Sequence, residues 1–219
     1  MRTLAVLPIK NLDQAKQRLR AELEPTTRRS LAESMFSDVL VALRRTERID
    51  QVIVVSSDNV AQRIAGGYQA HVVTDADTGH NDAAARGVAQ ALELGADRVL
   101  MVPADCPLMS PIELDELLAR PVHSPSVLIV PDRHGTGTNA LLLTPPEAMA
   151  PSFGPGSHER HLREGAAAGI EARTAEVPTL ALDVDTLDDL AAVQETLERT
   201  RGNAAHTRGM LRQLLRSRT

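Results

Sequence analysis

The stretch PDRHGTGTNALLL, Pro131–Leu143, admits two readings that imply different folds. Spaced as Gly135-x-Gly137-x-x-Ala140, it satisfies the loose dinucleotide-binding pattern. That pattern belongs after a strand and at the opening of a helix. Here TNALLLT (138–144) follows, an apolar run closed by two prolines, and it reads as a strand. SVLIVPD (126–132) precedes it and reads as another. The glycines therefore mark a turn between strands, and the lysine of a P-loop is missing. Such a turn still offers backbone N–H groups and hydroxyls to an anion.

Outward from this pair, short apolar runs alternate with helical patterns. Strands are predicted at 3–9 (TLAVLPI), 51–57, 70–75, 98–105 and 171–178. Helices are predicted from Thr26 or Thr27 through the repeat Leu31, Met35, Val39, Leu43, and over 81–95, 110–119, 157–169 and 186–199. Strands alternating with helices imply an α/β fold: a Rossmann-like, mostly parallel sheet with helices on both faces. A chain of 219 residues fits one domain, drawn over 1–198, followed by a basic tail over 199–219. At that length about 70% of the unfolded surface is buried, so no staple is needed.

Composition narrows the class. Aromatics are nearly absent, so Ala, Val, Leu and Ile build the core. The single cysteine, Cys106, excludes an internal disulfide framework and suits a reducing cytoplasm. Too few apolar residues precede Lys10 for a signal peptide, and no run approaches the ~20 residues of a membrane span. Net charge is −5, which argues against a nucleic-acid binder. The tail departs from this balance: Arg199 to Arg218 holds six arginines and no acid. A helix packed on the body is the default for it, with a dimer contact or a docking site for another enzyme as alternatives.

In open α/β sheets, ligands bind beyond the carboxyl ends of the strands. The residues there are Lys10, Asp58, Asp75, Asp105, Asp132 and Asp183. Five acids and a lysine suggest a metal and phosphate site. Lys10, Lys16 and Arg18 follow the first strand closely, and phosphates need such cations. Mg²⁺ takes one or two carboxylates and leaves its other positions to phosphate and water. Asp105 could supply one and Asp183 the other; Asp185, alternating with Asp183 on an extended stretch, is either a further ligand or the cap of the 186–199 helix. The Asp183–Thr186 string, DVDT, is misplaced for a haloacid-dehalogenase-type phosphatase. His158 and His161, three apart, read as a solvated helix face more readily than as a metal pair. Cys106 reads as a small packing residue. No G-x-S-x-G string argues for a serine nucleophile. The SFGPGSHERH segment (152–161) brings small residues to a helix start at Ser157, an arrangement suited to anions.

Together, LPIKNLDQAKQRL, VIVVSSD, GHNDAAARGV, VPADCPLM, PDRHGTGTNALLL, FGPGSHERH and LDVDTLDDL cover nearly the whole chain. In this order they resemble the 2-phospho-L-lactate guanylyltransferase family of coenzyme F420 biosynthesis, including its phosphoenolpyruvate guanylyltransferase branch. The resemblance implies a GT-A-like nucleotidyltransferase fold and transfer of GMP from GTP to a phosphorylated three-carbon acid. That acid is phosphoenolpyruvate, 2-phospho-L-lactate or 3-phospho-D-glycerate. It further implies that Lys10, Lys16 and Arg18 hold the GTP phosphates and serve catalysis, and that Asn81 helps hold the nucleoside. Asp105 and Asp183 would bind Mg²⁺, and Thr138, Gly154 and Ser157 would hold the acid. The next enzyme of the pathway is then the partner the tail could contact. DCP (105–107) stands where the family has DLP, and LPIK (7–10) where VPVK is commoner.

Overall fold

The computed structural model describes residues 1–121, 123–200 and 202–217. Seven strands form one sheet: β1 (Thr3–Ile9), β2 (Gln51–Ser56), β3 (His71–Thr74), β4 (Arg98–Met101), β5 (Ser126–Pro131), β6 (Thr138–Thr144) and β7 (Glu171–Thr174). Their order is β3-β2-β1-β4-β6-β5-β7. β1 to β4 run parallel, β5 runs parallel to β7, and β6 opposes both neighbours. β1 is buried along its whole length, as a central strand covered on both faces must be.

Alternation along the strands divides the core. Ala5, Leu7, Val54, Leu100, Leu128 and Leu142 face helices α1 (Pro25–Arg45), α2 (Asn59–Gly67) and α4 (Pro111–Ala119). Leu4, Val6, Ile53, Val99, Ile129 and Leu141 face α3 (His80–Glu93) and α5 (Ser157–Ala167). A third cluster joins Leu19, Leu31, Met35, Leu108 and Val184 to α6 (Leu187–Arg199) and α7 (Ala205–Ser217). α7 makes up most of the described part of the arginine-rich tail, and Arg201, Arg218 and Thr219 lie outside the described residues. It lies along α1. Asp38 of α1 accepts the main-chain N–H groups of His206 and Thr207 (3.1 and 2.7 Å), capping α7 from a neighbouring helix.

Several boundaries differ from the sequence reading. Pro25 takes the first position of α1, so Thr26 and Thr27 lie inside its first turn and neither caps it. The strand predicted to Asp105 ends at Met101, and the one predicted over 171–178 ends at Thr174. α2 is an addition that the sequence reading did not make: Ala61 and Ala65 are buried on it, with Val60 and Ile64 partly buried beside them.

Candidate active site

The carboxyl ends of β1 and β4 open into a cleft of about 420 Å³, lined by Lys10, Asn11, Lys16, His80, Pro103, Asp105 and Asp185 among others. After β1 the chain makes two short 3-10 turns, at Leu12–Gln14 and Gln17–Leu19. Between them Lys16 takes a left-handed backbone conformation (φ 55°). Leu12 and Leu19 are buried on either side, so the loop is anchored at two points. The Lys16 side chain is only 6% exposed, and its ammonium donates to Asp105 and, at 3.4 Å, to Asp185. Burial works against its charge, but the two carboxylates outweigh this and raise its pKa. Arg18, largely exposed, reaches Asp185 at 3.2 Å.

Asp183 lies close enough for the Asp105 and Asp185 charges to act on it. Burial pushes its carboxyl up, a hydrogen bond from Asn139 opposes this, and the Asp105 and Asp185 charges add to the rise. The Asn139 amide reaches Asp183 at 3.1 Å and the Leu180 carbonyl at 2.8 Å. Cys106 lies beneath, fully buried, its thiol pushed well up by burial and by neighbouring carboxylates. Among the described residues, no three His, Cys, Asp or Glu side chains are set to hold a metal unaided. An all-oxygen pair of carboxylates, with a lysine as its present counter-charge, nevertheless suits a hard cation that completes its shell with phosphate.

The residues at the strand ends divide by task. Asp58 caps α2, accepting from Val60 and Ala61, and also accepts from the Leu12 N–H; these bonds hold its pKa down against burial. Asp75 is buried with Arg86 4.0 Å away. Asp132 accepts from the N–H groups of His134, Thr136 and Gly137. Thus the backbone donors expected to cradle a ligand in the glycine loop are spent on the loop's own carboxylate. A Cβ at Gly137 would stand 2.7 Å from Asp132 Oδ2, so a larger residue there would have to displace the carboxylate from these donors. Of the five acids expected to gather, Asp105 lines the cleft and Asp183 lies within reach of its charge. Asp185 joins them instead of capping α6. That cap is Thr186, in a reciprocal capping box with Asp189, which also holds Arg133 at 2.6 Å.

Beyond the cleft, Thr138 begins β6 and Ser157 begins α5. The Ser157 and Thr138 hydroxyls lie 3.1 Å apart, and Thr138 Oγ1 lies 3.0 Å from His161 Nδ1. Gly154 (φ 119°) and Gly156 (φ 69°) turn the chain into α5. Arg160 pins this turn by donating to the carbonyls of Ser152 and Pro155. Asn81 commits both ends of its amide to the Phe153 main chain (2.7 and 3.2 Å). The neighbouring His80 ring meets Phe153 edge-on, with centroids 5.4 Å apart. Its pKa is lowered by burial and then by the Lys10 charge. The expectation of a solvated histidine face on α5 is incorrect. His161 is fully buried, and His158 bonds to Gly135 O and Thr174 Oγ1 at 3.0 and 2.8 Å. Asn139, beside Asp183, and the buried place of His161 beside Thr138 are what the sequence reading missed. Asn139 is the polar residue inside an apolar strand, which is the signal for it.

The chain is 52% identical to a phosphoenolpyruvate guanylyltransferase of Conexibacter woesei, over 99% of this chain and 98% of that protein. It is 35% identical to a 3-phospho-D-glycerate guanylyltransferase of Colwellia psychrerythraea, over 87% of this chain and 90% of that one. A solved nucleotidyl transferase from Methanothermobacter thermautotrophicus shares the fold, with a TM-score of 0.70 at 18% identity over 91% of this chain and 99% of that chain. The family model described as "Guanylyl transferase CofC like" matches residues 3–217. With nearly its whole length matched, the chain belongs to the CofC-like guanylyl transferase family.

Proposed function

We propose that the protein joins the phosphate of a phosphorylated three-carbon acid to the α-phosphorus of GTP and releases pyrophosphate, as a step in making coenzyme F420. Phosphoenolpyruvate is the first acid to test, because the relative at 52% identity bears that name. The observation that carries the reading is the convergence of Asp105 and Asp185 on the Lys16 ammonium at the ends of β1 and β4, with Asp183 within reach of both carboxylates' charges.

One phosphate oxygen of the acid forms the new bond to the α-phosphorus. The bond from that phosphorus to the bridging oxygen breaks, and pyrophosphate leaves with the electron pair. The attacking phosphate has a second pKa of about 6 and is anionic at neutral pH, so no general base is needed. The barrier is repulsion between two anions, and catalysis is positioning with charge neutralisation. Asp105 and Asp183 are the residues that would hold Mg²⁺, which supplies charge neutralisation between the two phosphates. Lys16 releases its carboxylates to meet phosphate, while Lys10 and Arg18 steady the departing pyrophosphate. Asn81, through its grip on Phe153, couples the nucleotide side of the cleft to the acid-binding turn. Thr138, Gly154 and Ser157 take the acid.

Among the described residues no helix is long and apolar enough to cross a membrane. A single free, buried cysteine fits work in the cytoplasm. A pyrophosphate-release assay with GTP and each of the three acids tests the reading, with the next pathway enzyme added to draw off a labile product. Release with phosphoenolpyruvate is expected. No release with any acid would sink the proposal, and faster release with CTP or UTP would overturn the choice of nucleotide.

A further inference from the structure

His161 sits in the second turn of α5 with no exposed surface, and its two ring nitrogens have different partners. Nε2 lies 3.1 Å from the main-chain nitrogen of Ser152. A main-chain N–H can only donate, so Nε2 carries the lone pair. The ring proton is therefore on Nδ1, which faces Thr138 Oγ1 at 3.0 Å, and the threonine oxygen is the acceptor. The hydroxyl of Ser157, a buried residue, lies against the same oxygen at 3.1 Å.

The hydrogen-bond count then has one outcome. Two hydroxyls bring two protons. One is shared between them, whichever way that bond runs. His161 consumes neither, because its Nδ1 already has a proton, and neither hydroxyl donates to another described group. One proton is left over on the Thr138–Ser157 pair. With the opposite tautomer, Nδ1 would take the threonine proton and the pair would lose that spare donor. The Ser152 amide thus fixes, through the imidazole, which way the hydroxyls point. Ser152 is itself held from the other side, its carbonyl accepting from Arg160 at 3.0 Å. Phe153 closes one edge of the imidazole, with ring centroids 5.5 Å apart. Burial lowers the His161 pKa to about 4, so the ring stays neutral at neutral pH.

We propose that His161 is a positioning residue that sets the Thr138–Ser157 hydroxyl pair as a hydrogen-bond donor to an anionic oxygen of the acceptor acid. This rests on the reading of Thr138 and Ser157 as acid-binding residues. His161 touches no substrate; it acts through the hydroxyls. The spare proton suits a carboxylate or phosphate oxygen, which only accepts, and gives nothing to a group that must itself donate.

Two substitutions separate the ring's two jobs. In His161→Asn the amide nitrogen falls near the Nδ1 position and can still donate to Thr138. In His161→Gln the terminal amide falls near the Nε2 position and can still accept from Ser152, but the donor to Thr138 is lost. His161→Gln is expected to raise KM for the acid about tenfold or more, with KM for GTP unchanged, and His161→Asn to recover most of that loss. Equal loss in both variants, or parallel changes in both KM values, would reduce His161 to packing and overturn the inference. Thr138→Val tests the underlying reading separately. If it leaves KM for the acid unchanged, the acid does not bind there. If it raises KM while His161→Gln does not, the acid site stands and the role of His161 falls. Nitrogen-15 spectra of histidine-labelled native protein, with His161 assigned through bonds, give a readout that needs no variant. At pH 7, Nδ1 should be protonated and Nε2 bare; the reverse tautomer or a cationic ring would overturn the proposal.

Discussion

Asp105 accepts the buried Lys16 ammonium, and the two side chains cannot be exchanged for neutral ones without consequence. Asp105→Asn keeps the shape but removes the charge that opposes Lys16 and that a cation requires. Turnover measured by pyrophosphate release should fall by more than about a hundredfold. A smaller fall would mean that Asp183 and Asp185 suffice. His161 gives a prediction about stability. Its ordinary pKa is 6.5 and its folded value about 4: burial lowers it first, Glu164 opposes, and Arg160 and His158 add to the lowering. Between those values the unfolded chain takes up a proton that the native ring refuses. The stabilisation is therefore complete above about pH 6.5 and is lost as pH falls toward 4. Thermal unfolding midpoints should drop across that window, and the slope should be shallower in His161→Gln. Lys16 and Arg18 are legible in the sequence as cations after a strand. Their partner Asp185 is not, because a carboxylate before a helix reads equally well as a cap until Thr186 is seen to occupy that place.

Elements position these residues by close approach. α3 stands on β1 through Gly87, where an added Cβ would lie 2.3 Å from Val6 Cγ1 and 3.1 Å from Val55 Cγ2. Gly87→Ala should gain at most about 1 kcal/mol of helix propensity. It should lose about 1–3 kcal/mol to overpacking, seen as a lower urea midpoint with unchanged slope. A net gain would show that the helix can lift away from the sheet. Because α3 begins at His80 and Asn81, the same contact sets the height of the Asn81–Phe153 link. The glycine in GHNDAAARGV is plain in the sequence, but the sheet residue that needs it lies 81 positions upstream. The reversed strand β6 is also an element-level outcome. Its apolar run has no direction of its own, and the six-residue turn 132–137 back from β5 supplies one.

At the scale of the molecule, α7 and the cleft are joined by the third core cluster. Leu211 of α7 belongs to the same buried cluster as Leu19, which follows Lys16 by three positions, and Val184, between the two aspartates. Ending the chain after Arg199 would expose this cluster and remove the helix capped by Asp38. Burying a leucine is worth about 1.5–3 kcal/mol, and 1 kcal/mol shifts Tm by about 2–4 °C in a domain of this size. The truncated protein should melt at least about 5 °C lower and release pyrophosphate more slowly. An unchanged midpoint and rate would make α7 an accessory to the fold.

The sequence by itself determined the alternating α/β plan, the family, and the short strings in which Lys16, Asp105, Asp183, Thr138 and Ser157 stand. These follow from local periodicity and from residues near one another along the chain, which need no tertiary information. Only the tertiary structure decided which strand-end acids converge, that Asp132 satisfies its own loop, and that His161 lies buried beneath Thr138. Those outcomes depend on pairs distant in sequence. For a carboxylate or an imidazole, the choice among cap, ion pair and donor is made by whichever partner the fold brings within hydrogen-bond reach.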